Sequence, residues 1–162
     1  MQDQTEYLPD DTKTNFAMLV GRLIVLMPFI PNGISKIMNF TLIAGIMGGT
    51  VGPQMLDGRL FPTQTPLFNF PVPEFFLVMS ICFDLIGSTL LILGWRARTV
   101  APILAGYALF AMLIYHYDVK DGHDVMTILR NLPFVGGLIL MSAFGAGAWS
   151  LDGLLRKKSK RA

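Results

Sequence analysis

Apolar residues fill four long stretches of the chain, near 16–38, 75–93, 99–117 and 132–149, and polar residues collect mainly in the gaps between them. Each stretch approaches the ~20 residues a helix needs to cross the hydrocarbon core of a bilayer. Apolar blocks of this length predict spanning helices rather than helices packed on a soluble core. The pattern therefore predicts an all-α membrane protein, a four-transmembrane-helix bundle in which residues 1–162 form one membrane domain. Residues 1–14 are a leader, 150–162 a basic tail, and a Pro-rich outer loop joins helices 1 and 2.

Interruptions in the pattern carry further expectations. Pro28, Pro31, Asn32 and Gly33 fall together in the first block, where the span is deepest, and predict a kink or local unwinding. Proline removes a backbone hydrogen bond, and the freed carbonyls need neighbouring helices or a wet cavity rather than lipid. The run NFTLIAGIMGGTVGP is apolar but too short to span, and reads as an interfacial or re-entrant segment. From residue 54 to 73, Pro62, Pro66, Pro71 and Pro73 alternate with Phe61, Phe68 and Phe70. This reads as an ordered or partner-docked loop, with a plain surface loop as the alternative. Ala97, Ala101 and Ala105, with Gly137, Met141 and Gly145, predict close packing of the third and fourth helices. Asn131 is placed to N-cap the fourth helix with Pro133 in its first turn, and Gly145 and Gly147 mark its end.

With 52% hydrophobic and 15% charged residues, four spans leave no room for a soluble domain, so soluble chemistry is expected from a partner. Cys82 is the single cysteine, which excludes an intrachain disulfide, a thiolate metal cluster or a CxxC redox pair. The leader carries Asp3, Glu6, Asp10 and Asp11 against Lys13 and lacks a small-residue cleavage site, so the first block is expected to be retained. Arg96 and Arg98, with Arg156, Lys157, Lys158, Lys160 and Arg161, fall on the side of the two termini, which predicts cytoplasmic termini. That bias accounts for the basic tail without a nucleic-acid partner, although such runs also attract anionic lipid.

Asp84 is the residue with the most to explain, because it stands near the middle of the second block. An Asp at a helix centre costs roughly 2.5–3.5 kcal/mol on insertion scales, so it turns to the bundle interior and takes a partner. Lys36 is the preferred partner. Arg22 competes for the role, although its place near the inner end favours snorkelling to the interface. A second polar cluster is expected at the outer mouth, where Tyr115 and His116 end the third helix and Arg130 and Asn131 open the fourth. These groups can donate to carbonyl oxygens and His116 can pass a proton, as a quinone headgroup requires. The alternative is simple pairing with carboxylates at a wet interface. His116, Asp118, Asp121, His123 and Asp124 match no established metal-ligand spacing, and only His116 lies near a span, so neither a metal site nor bis-His haem is expected.

The order GRLIVLMPFIPNGISK, FDLIGSTLLILGWRART, IYHYD and ILRNLPFVGGLILMSAFGAGAWSLD resembles the DoxX family of small four-helix bacterial membrane proteins, over roughly residues 21–152. The resemblance implies a multi-pass protein of the bacterial inner membrane, often associated with oxidoreductases, the family name coming from a subunit linked to thiosulfate and quinone oxidation. By position, Arg22, Ser35, Lys36, His116 and Asn131 match family-typical polar residues. Asp84 stands where the family commonly has Glu, and Arg130 where it commonly has Lys; the Pro-rich outer loop is a further departure, and hints at a specialised partner.

Three functions are compatible with these residues. The first is an accessory or anchoring subunit of a respiratory or other membrane-bound redox complex, not catalytic alone. The second is a quinone-binding redox subunit using Tyr115, His116, Arg130 and Asn131. The third is a small-molecule or proton-coupled transporter using Asp84, against which the absence of internal repeats and the small number of spans both count.

Overall fold

The computed structural model describes residues 12–49, 69–116 and 122–159, apart from the side chains of 122–124 and 159, and the backbone of two short strands, Met55–Leu56 (β1) and Arg59–Leu60 (β2). Four helical stretches are long and apolar enough to cross a membrane: Thr12–Met38, Pro73–Leu93, Ala97–Tyr115 and Val125–Phe144. The protein is an all-α four-helix membrane bundle.

The first span is two helices, α1 (Thr12–Leu26) and α2 (Phe29–Met38), parted by a turn at Met27 and Pro28. Pro28 has no N–H for the Ile24 carbonyl, which accepts from Met27 N–H at 3.3 Å instead. The break is narrower than predicted. Asn32 N–H already reaches the Pro28 carbonyl at 3.2 Å, and Pro31 falls in the first turn of α2, where its missing N–H costs no bond.

Beyond Asn39 the short apolar segment forms α3 (Phe40–Met47), which buries Ala44, Ile46 and Met47. Ala44 and Met47 pack with Phe70, Leu77 and Ile114 in an apolar cluster flanked by Tyr115. Phe70 N–H donates to the Met47 carbonyl at 2.9 Å, and the Phe70 ring lies 4.7 Å from that of Phe76. These contacts fasten α3 to the entry of the second span. Most of the Pro-rich loop, including Pro62, Pro66, Phe61 and Phe68, lies outside the described residues; β1 and β2 pair antiparallel within it, Met55 opposite Leu60.

The second span runs through α4 (Pro73–Cys82), a π-helical turn at Phe83–Gly87 and α5 (Ser88–Leu93). A π-turn misaligns backbone donors and acceptors. Ser88 compensates, donating its hydroxyl to the Asp84 carbonyl and to that of Leu85 at 3.2 Å. Gly94 and Arg96, both with positive φ, turn the chain into α6 (Ala97–Tyr115).

Helix α7 (Gly122–Phe144) returns along α6, and α8 (Leu151–Ser159) follows. The sequence placed the fourth helix at 132–149 with Asn131 as its cap; it begins instead at Gly122, and Asn131 and Pro133 lie in its interior. One carbonyl left without its donor is tolerated in a membrane helix when neighbours or local adjustment satisfy it. The helix ends at Phe144 because Gly145, at φ +80, cannot continue it.

Ala97, Ala101 and Ala105 enter the core beside Leu104, Leu138 and Met141, which brings α6 and α7 close. Gly137 serves a different contact. A Cβ there would run into Val25, so the glycine lets α1 approach α7 rather than α6.

Candidate functional site

The polar centre of the bundle is assembled from three spans. Asp84, on the π-turn, has a side chain only 1% exposed. Its Oδ2 accepts from Lys36 Nζ at 2.7 Å and from Asn32 Nδ2 at 2.8 Å. Asn32 and Lys36 are four residues apart on α2, one above the other on a single helix face. Lys36 Nζ donates a second bond, to Tyr107 Oη on α6 at 2.8 Å. Tyr107 is held in turn by its ring, stacked on Phe83 with centroids 4.9 Å apart.

Close approach of α2 to the π-turn makes this geometry attainable. Gly33 lies between Asn32 and Lys36, and a Cβ there would sit 2.7 Å from Leu85 side-chain carbons and 3.0 Å from Asp84 Cβ. Gly33→Val is therefore expected to push α2 outward and separate Lys36 from Asp84. Cysteines paired across α2 and the second span should cross-link well below wild-type yield in that variant; unchanged yield would show that the glycine is incidental.

Electrostatically the cluster joins one cation to one anion, so its net charge is zero at a depth where an isolated charge is expensive. It is not closed, however. Asp84 Oδ1 is fully buried and has no hydrogen-bond partner among the described residues. Lys36 retains 18% side-chain exposure, and Asn32 is exposed. The ammonium and the amide thus reach the edge of the bundle, while the carboxylate they hold stays inside it.

Arg22 belongs elsewhere. It is buried rather than snorkelling, and donates Nη1 to the Ala146 carbonyl at 3.1 Å and Nη2 to the Trp149 carbonyl at 3.0 Å. Asn15 Oδ1 accepts from Ala148 N–H at 3.0 Å. Asp152 completes this clasp: its carboxylate accepts from the N–H groups of Arg96 and Ala97 at 2.8 and 2.9 Å, while its own N–H reaches the Gly94 carbonyl at 3.0 Å. The segment GAGAWSLD therefore ties α1, the α5–α6 turn and the end of α7 together.

Of the residues expected at the outer mouth, Tyr115 and His116 end α6, and Arg130 and Asn131 lie on α7. Tyr115 packs against the apolar cluster of α3 and α4, and His116 closes α6 with its N–H on the Met112 carbonyl at 2.9 Å. Arg130 is exposed and Asn131 half-buried, eight and nine residues into α7, about 12 Å along the helix from Gly122. The N-cap role assigned to Asn131 does not hold. Asn32 and Tyr107 were missed; the spacing of Asn32 four residues before Lys36 was a usable signal, whereas nothing local marks Tyr107.

Comparison with known proteins places these features in a family. The DoxX family profile matches residues 17–117, a span that includes Asn32, Lys36, Asp84 and Tyr107 and stops before α7. Inner membrane protein YqjF of Escherichia coli K12 is 32% identical over 96 residues, covering 59% of this chain and 74% of that protein. Inner membrane protein YphA of the same organism is 25% identical over 140 residues, 83% of this chain and 87% of that one. No solved structure matches the chain. With four apolar spans and these relatives, the chain is a multi-pass bacterial inner-membrane protein and belongs to the DoxX family.

Proposed function

We propose that the protein is an accessory membrane subunit of a membrane-bound oxidoreductase complex, anchoring and positioning a partner that carries out the chemistry. The observation that carries this reading is that Asp84, the one carboxylate buried among the described residues, is neutralised within the bundle by Lys36 while bracing three spans. A scaffold needs such internal bracing, and Arg22 with the GAGAWSLD clasp stiffens the other end. The redox link rests on the family resemblance. The Lys/Arg bias of the tail and of Arg96 and Arg98 supports cytoplasmic termini.

Extraction of the C-terminally tagged protein from its native membrane in a mild detergent, with mass spectrometry of what co-purifies, tests the proposal. A dehydrogenase or oxidase in fixed ratio is the expected result; a lone homo-oligomer overturns it.

A second reading places a quinone headgroup at Asn32, Lys36 and Asp84 instead of at Tyr115, His116, Arg130 and Asn131. It is favoured by the unpartnered Asp84 Oδ1 beside the exposed Asn32. Amide and ammonium donors suit carbonyl oxygens. The same preparation reads it out, since this site would retain quinone in fixed ratio to the chain.

A further inference from the structure

The C-terminal helix is more than a charged tail. Its first turn is fixed to the end of the bundle by Asp152, and Gly153 lies so close to the Ala148 carbonyl that a Cβ would not fit. The Gly153 N–H also donates to the Ser150 hydroxyl at 3.1 Å. Helical spacing then decides what faces outward. At 3.6 residues per turn, Leu151, Leu154 and Leu155 form one stripe on the side away from Gly153, and all three are exposed. Arg156 and Lys157 occupy the remaining faces, whereas Lys158, seven residues after Leu151, ends the leucine stripe and reaches the headgroup level by its long stem.

The surroundings match this division. Trp95 and Trp149 are exposed at the same end of the bundle, and Arg96 and Arg98 are exposed beside them. Asp152 is the one carboxylate among the described residues of that end, and it is consumed by the clasp. A leucine stripe, flanking indoles and a basic polar face are the composition of a helix lying in the membrane–water interface, its apolar face sunk roughly 5–10 Å into the headgroup and acyl boundary.

The geometry points to α8 as an interfacial helix that binds anionic phospholipid headgroups, with Leu151, Leu154 and Leu155 in the acyl boundary and Arg96, Arg98, Arg156 and Lys158 against the phosphates. Two features favour lipid over a soluble partner. The first turn of the helix is tied to the bundle end that carries Trp95 and Trp149, and Arg96, Arg98 and Arg156 are exposed there with no carboxylate beyond the clasped Asp152 among the described residues of that end.

The test uses the full chain carrying Trp95→Phe, Trp149→Phe and Leu154→Trp, reconstituted in phosphatidylcholine vesicles with and without phosphatidylglycerol. Brominated acyl chains on either lipid report contact with the indole at position 154. Quenching is expected from both, with phosphatidylglycerol preferred in competition. Adding Arg156→Gln and Lys158→Gln should lower that preference by roughly thirtyfold, at about one kcal/mol per basic residue near an anionic surface, with helical content by circular dichroism unchanged. An unquenched indole in both lipids overturns the proposal and marks the leucine stripe as facing water or a protein. Equal quenching by the two lipids, insensitive to the glutamine variants, overturns the anionic selectivity.

Discussion

Lys36→Leu is expected to destabilise the bundle by about 3–5 kcal/mol, the usual cost of stripping one partner from a buried ion pair. Asp84 would lose its cation while staying out of reach of water, and the Tyr107 hydroxyl would lose its donor as well. The reverse change is milder. In Asp84→Leu, Lys36 keeps Tyr107, and its partly exposed stem lets the ammonium extend toward the interface, so a loss of about 1–3 kcal/mol is expected. Thermal unfolding of the purified variants in one detergent measures the order. An Asp84→Leu variant less stable than Lys36→Leu would refute this account of the cluster.

Arg22→Ala is expected to cost about 3 kcal/mol, because two carbonyls, of Ala146 and Trp149, lose a charged donor and the guanidinium leaves a void between α1 and the end of α7. Its effect should be local first, with the segment after Phe144 becoming sensitive to protease before the spans unfold. Arg22→Lys should recover less than half of the loss, since an ammonium cannot reproduce the fork that meets two carbonyls. Full recovery would mean that charge alone, and not geometry, holds the clasp.

The spans were legible because apolar length is a property of each segment by itself. The start of α7 was hidden, since GHDVMTILRN is mixed in character and Asn131 before Pro133 imitates a helix start. Asp84 announced itself as a carboxylate in an apolar run, and the chain has few intramembrane cations to set against it; Lys36 lies 2.7 Å away. Tyr107 and the π-turn were not legible, because both depend on how α6 meets the middle of the second span rather than on local pattern. Arg22 misled for the same reason. Its place near a span end suggested snorkelling, and only a chain segment 124 residues further on, folding back over it, supplies the carbonyls that keep it buried.

The most direct test of the central claim, that Lys36 and Asp84 form one compensated unit bracing the bundle, is the stability of the Lys36→Leu, Asp84→Leu double variant beside the two single ones. The account predicts a double variant more stable than Lys36→Leu alone, with a coupling of about 2 kcal/mol or more, because removing both charges leaves nothing stranded. Additive losses would show that the two residues act independently and would contradict it.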